Sequence, residues 1–199
     1  MNERIAAIRD RIHALEDELE GEYHRQRLLF HYHVESGRVR FDRAVLQRHR
    51  DMRQRLLAFI TGAPLRHILT APVIYSLIVP FALLDLWVSL YQAVCFPAYG
   101  IPMVKRSEFI RIDRHKLGYL NSIQKLNCVY CGYVNGLIAY VAEVAGRTEA
   151  YWCPIKHAMR VRGRHRHYAG FMDYGDADGY ASGVEASRSR IQKVDARKD

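Results

Sequence analysis

The run ILTAPVIYSLIVPFALLDLWVSLYQAVCF, residues 68–96, constrains this chain more than any other feature. Across its 29 positions Asp85 is the one ionisable side chain apart from Tyr and Cys. As a single helix at about 1.5 Å per residue it would extend roughly 43 Å, beyond a hydrocarbon core of about 30 Å. Three readings answer that length: a helix that tilts and emerges, a hairpin that bends back, and a helix buried in a soluble core. Pro80 favours the bend, because it removes a backbone donor near the middle of the run, whereas Pro72 lies near the start, where a first turn tolerates proline.

The flanks point the same way. Residues 48–67 hold five Arg and residues 98–117 hold five Lys and Arg, so the preference of basic residues for the cytoplasmic side gives a tie. A re-entrant hairpin with both flanks on one face satisfies the proline and the tie; a single transmembrane span satisfies only the length. Asp85 is a candidate functional group, since an ionised carboxylate at membrane depth is costly unless paired; the structural alternative is a cap on the second half-helix or a pair with Arg66. Trp87 and Tyr91 have the amphipathic rings of interfacial anchors.

Composition enters through charge. The 199 residues carry 30 Lys and Arg against 21 Asp and Glu, with 49% apolar residues, which excludes a disordered or collagenous chain. Most of the excess lies in residues 105–167, with 12 basic and 4 acidic residues, directly after the least charged stretch. That adjacency is the pattern of a basic juxtamembrane region. Its densest part is Arg160, Arg162, Arg164, His165, Arg166 and His167. Anionic lipid headgroups or an acidic protein are the economical partners; nucleic acid, with Tyr168 and Phe171 stacking on bases, is the less economical one.

Residues 2–30 predict a helix with Ile5, Ile8, Ile12, Leu15 and Leu19 spaced 3, 4, 3 and 4 apart, a seam for packing within the chain, for self-association or for another membrane protein through residues 5–19. Gly37 predicts a turn beside a short extended piece at Val39 and Phe41, and residues 42–62 return to helical spacing. The start, MNERIAAIRDR, has no apolar core of a secretory signal, and four cysteines are too few for a disulfide scaffold.

The sharpest chemical signal is CVYC at Cys128 and Cys131, followed by YWCPIKH with Cys153 and His157. Two thiolates on a tight turn, relaxed by Gly132, would form one half of a tetrahedral site; Pro154 at a helix start would place Cys153 and His157 one turn apart as the other half. Between them a helix of about three turns and a short return would close a Cys3His module. Three sulfurs and one imidazole fit structural zinc best, with iron or an iron–sulfur cluster as the alternative. Cys95, inside the apolar run, reads as a packed hydrophobe. Glu143 or Glu149 beside an open zinc position would make a hydrolase, but a fully ligated zinc leaves no place for water, and Glu143 is spaced to pair with Arg147. No Ser-His-Asp, phosphate-loop or HExxH signature is present, which argues against an enzyme.

NCVYCGYVNGLIAYVAEVAGRTEAYWCPIKHA, with LLDLWVSLYQAVCFPAYGIP and DRHKLGYLN before it and FMDYGDADGY after it, resembles a group of uncharacterised bacterial membrane-associated proteins over roughly residues 65–180. The resemblance implies a bacterial inner-membrane location on the cytoplasmic face, takes Cys128, Cys131, Cys153 and His157 as one unit and names no substrate. The sequence therefore predicts a mainly α protein in four regions: an N-terminal helical region (1–67), a membrane segment (68–104), a basic metal-binding module (105–171) and a flexible tail (172–199). Its expected function is that of a membrane-associated, non-catalytic accessory or scaffold protein with a zinc-stapled module. An iron electron-transfer protein serving a membrane enzyme is the second reading, a zinc hydrolase the third.

Overall fold

The computed structural model describes residues 3–29, 32–35 and 38–194, and it is mainly helical. Two compact units emerge, Met1–Thr61 with His115–Lys125, and Gly62–Arg114 with Leu126–Asp199. Residues 115–125 thus belong with the N-terminal elements, and the division does not follow the charge blocks.

In the first unit α1 (Glu3–Leu29) fulfils the predicted helix. Its seam residues Ile8, Ile12, Leu15 and Leu19 are all exposed. The extended piece is a hairpin of β1 (Tyr32–Glu35) and β2 (Arg38–Phe41) in antiparallel register, Tyr32 opposite Phe41 and Glu35 opposite Arg38; the predicted turn at Gly37 lies outside the described residues. Then α2 (Arg43–Asp51) and α3 (Leu56–Thr61) divide the expected helical stretch. His49 packs edge-on against Phe41 and Tyr119, and Arg53 Nε donates to Leu120 O at 3.1 Å.

The second unit holds the apolar run as α4 (Leu65–Ser76) and α5 (Ile78–Tyr99). The expected hairpin does not form. Leu77, between the two helices, keeps right-handed helical angles (φ −62°, ψ −14°), so the axis runs on. Pro80 falls in the first turn of α5, where its missing N–H has no intrahelical partner to lose. The contacts made by the rod confirm its direction along α7 (Ser122–Trp152). Tyr75 donates to Asn127, Tyr130 to Ile74 O (2.9 Å), Tyr133 to Asp85 (3.0 Å) and Gln92 to Tyr140 (2.6 Å), and Tyr99 stacks on Tyr151 at 5.3 Å. Both chains advance together, so the two long helices are parallel neighbours.

Parallel neighbours require a return. Gly100, left-handed at φ 67°, ends α5, and residues 101–114, including the short α6 (Arg106–Phe109), run back between the helices. Val104 N donates to Gln92 Oε1 at 3.0 Å and Arg147 donates to Pro102 O at 2.7 Å. A Cβ on Gly136 would lie 2.7 Å from Phe109 O, and one on Gly132 3.1 Å from Arg111 O. Gly132 therefore does not relax a turn, as expected from sequence; it lets a backbone segment lie against a continuous helix. Phe96, Leu137, Tyr140, Val144 and Ile191 form the fully buried centre.

The tail is not flexible through its length. Residues 155 and 172 pair as an isolated bridge, and α8 (Tyr180–Ile191) buries Val184, Ser187 and Ile191. Ser187 Oγ donates to Ala150 O at 2.7 Å and Arg188 Nε to Tyr151 O at 3.0 Å, satisfying carbonyls left open at the end of α7. Three buried side chains in twelve residues are enough to order a segment whose composition alone looked too polar.

Candidate functional site

The four expected metal ligands are split by α7 itself. Cys128 and Cys131 lie within this unbroken helix, not on a turn, and Cys153 follows its last residue. At about 1.5 Å per residue the two halves are separated by roughly 33 to 38 Å. No helix begins at Pro154; residues 153–156 are irregular and pair with Met172, with Lys156 N donating to Met172 O at 2.8 Å. Among the described residues no group of three or more His, Cys, Asp or Glu side chains is placed to hold a metal. The donor set thus does not fit a zinc or iron centre within one chain. All four thiols, Cys95 included, are free; Cys131 and Cys153 are exposed, Cys95 and Cys128 half-buried.

His157 is nevertheless oriented. Its backbone N–H donates to Tyr168 Oη at 2.7 Å, its Nδ1 lies 3.4 Å from the same oxygen, and the two rings stack at 5.9 Å. Such an outer partner on one ring nitrogen leaves Nε2 free and sets the ring's aim. Lys156 ties the same loop to Asp173 at 2.6 Å, and this lysine holds the Asp173 carboxyl below its usual range.

The densest electrostatic feature is one that sequence reading found only in part. Glu143 pairs with Arg147 at 2.8 Å as its spacing predicted, but the pair is buried, with side chains 6% and 4% exposed. The loop after α7 adds two more donors: Arg166 in a two-point contact (2.7 and 3.1 Å) and His167 Nε2 at 3.0 Å. Burial by itself would raise the Glu143 carboxyl; the hydrogen bonds from His167, Arg166 and Arg147 outweigh it and bring it down to about 2. A parallel contact joins Glu149 to His165 Nε2 at 2.9 Å. Gly146 admits this loop, since a Cβ there would meet the His165 ring at 2.7 Å. Glu143, held by three donor side chains, fastens the loop to α7. The signal available in the sequence was RHRH, read as a surface run when two of its members turn inward.

That changes the basic face. Arg160, Arg162 and Arg164 are exposed, whereas Arg166 is held by Glu143 with its side chain 57% exposed. Arg164 lies 5.5 Å over the Tyr168 ring, and Met159 beside the run is 83% exposed.

Asp85 is paired, though not with Arg66. Arg106 from the return segment grips it at 3.0 and 2.6 Å and Tyr133 donates at 3.0 Å, leaving its side chain 14% exposed. Of the two expected anchors, Trp87 points outward at 71% exposure, while Tyr91 turns inward to Thr148 at 3.0 Å.

Two helices, spanning Leu65–Tyr99 and Ser122–Trp152, are long and apolar enough to cross a membrane. Their faces differ. The rod of α4 and α5 exposes Leu69, Val73, Val79, Leu83, Leu86 and Val94 along its length, while α7 is the core helix of its unit. No protein-family model, no curated protein and no solved structure matches this chain.

Proposed function

We propose that this protein is a membrane-associated, non-catalytic accessory or scaffold protein whose α4–α5 rod lies against the lipid. The observation that carries this reading is the rod's one-sided exposure: Leu83, Leu86, Trp87 and Val94 are each more than 60% exposed, and a monomeric soluble surface rarely leaves such a continuous apolar stripe open. The return segment argues against two spans. It carries Lys105, Arg106, Glu108, Arg111, Asp113 and Arg114 alongside both helices, and insertion of the pair would take these charges into hydrocarbon. A rod lying in the interface keeps them in water.

Arg160, Arg162 and Arg164 supply a site for anionic headgroups, each near-surface charge worth about 1 kcal/mol. The exposed Ile8, Ile12, Leu15 and Leu19 seam of α1 offers a docking stripe for another helix. The test is vesicle flotation of the purified chain. Binding to vesicles containing anionic lipid is expected, with a loss of about fivefold per arginine in the R160A, R162A and R164A series. A joint Leu83→Asp and Leu86→Asp variant should stay in the aqueous fraction. Wild-type protein that remains soluble and unbound at low salt would sink the reading.

A further inference from the structure

We infer that the four split donors complete two Cys3His metal sites between two copies of this chain, packed antiparallel along α7. The first observation is a seam. Cys128, Cys131, Asn135, Ile138, Ala142, Ala145, Glu149 and Trp152 follow one another at 3, 4, 3, 4, 3, 4 and 3 residues, the alternation that keeps side chains in line on one helix face. Cys131, Asn135, Ile138, Ala142, Ala145 and Trp152 are exposed, although Leu137, Tyr140 and Val144 of the same helix lie in the core. Alanines in the middle of such a seam allow a second helix to approach closely, and Ile138 would then face the groove of about 480 Å³ lined by Val88, Tyr91, Val144, Thr148 and Trp152.

The second observation is symmetry. A two-fold axis near residue 140 brings Cys128 of one copy opposite Cys153 of the other, and by the same operation builds an identical site at the far end. Each site takes Cys128 and Cys131, one turn apart on a helix face, from one copy, and Cys153 and His157 from the other. His157 comes with the oriented ring that a ligating imidazole needs, its Nδ1 beside Tyr168 Oη.

Charge selects the antiparallel arrangement. In a parallel pair Glu149 would meet its own copy. In the antiparallel pair Glu149 lies opposite Gly132 of the second copy, and an Arg114 Nη2 sits 3.6 Å from the position of a Cβ on that glycine. Three thiolates and an imidazole in a closed tetrahedron suit Zn²⁺. This inference does not depend on membrane attachment.

The experiment uses the full-length chain in detergent solution, with Zn²⁺ as the metal and Co²⁺ as its coloured substitute. The wild type should be a dimer with one metal per chain and thiolate-to-Co²⁺ absorption, and chelation should return it to monomers. A C128S/C131S variant and a C153S/H157A variant should each lack metal. Co-expressed, their mixed dimer should regain one metal, because one of its two sites is again complete. Circular dichroism on each variant separates loss of ligands from loss of fold. A metal held by monomers, a mixed pair that stays empty, or the C153S/H157A variant alone retaining metal through a parallel all-thiolate site would each overturn the inference.

Discussion

Helices α5 and α7 look alike in composition and behave as opposites in the fold. Both are long and predominantly apolar, yet α5 shows its leucines to the outside and α7 buries Leu137, Tyr140 and Val144. The difference lies in what can approach them. Gly132, Gly136 and Gly146 let the return segment and the His165 loop reach the α7 backbone, whereas α5 presents bulky side chains where α7 presents none. Total apolarity therefore says that a helix must leave water; the spacing of its smallest residues says whether protein covers it.

That contrast can be broken most forcefully at Glu143. Glu143→Gln leaves buried Arg147 without its charge and should cost about 3–5 kcal/mol in denaturant unfolding. Acid should imitate the substitution. The folded carboxyl titrates at about 2, below its ordinary value of 4.5, so its contribution is complete above pH about 4.5 and is lost as the pH falls toward 2. Unfolding midpoints recorded from pH 6 to pH 2.5 should fall in that window for the wild type and stay flatter for Glu143→Gln.

The same chemical change made on both helices sharpens the comparison next. Leu137→Ala in α7 should cost about 2–5 kcal/mol by opening a cavity, and Leu83→Ala in α5 should stay within about 0.5 kcal/mol while weakening vesicle binding. Equal losses at the two positions would mean that α5 is covered by protein after all. Gln92→Ala should fall between them, at about 1–3 kcal/mol, because Val104 N and Tyr140 lose a buried partner. The smallest effect belongs to the exposed Lys156 and Asp173 clasp: Lys156→Ala should change stability by less than about 1 kcal/mol, and the difference should shrink as salt is raised.

Much of the local structure was legible from particular residues. The 3 and 4 spacing of Ile8, Ile12, Leu15 and Leu19 identified α1, and the i,i+4 spacing of Glu143 and Arg147 identified their pair. Pro80 misled because proline bends a helix only where an intrahelical bond exists to be lost, and one position decides whether it stands in the middle of one helix or in the first turn of the next. The CxxC and CPxxH motifs misled for a related reason. Ligand spacing assumes that the intervening chain folds back, and GYVNGLIAYVAEVAGRTEAYW instead has enough helix-forming residues to run straight through. Gly132, which seemed to relax a turn, lies inside the helix with the return segment against it.

The sequence by itself determined that the chain is mainly helical, that residues 68–96 form an apolar stretch, and that basic charge concentrates after it, because periodicity and composition act over a few turns of backbone. Tertiary structure alone decided which apolar helix is covered, that Arg106 rather than Arg66 neutralises Asp85, that His165 and His167 turn inward, and that the four expected ligands are divided along α7. Those outcomes depend on segments far apart in the chain meeting at close range, where a glycine in place of a side chain determines what fits.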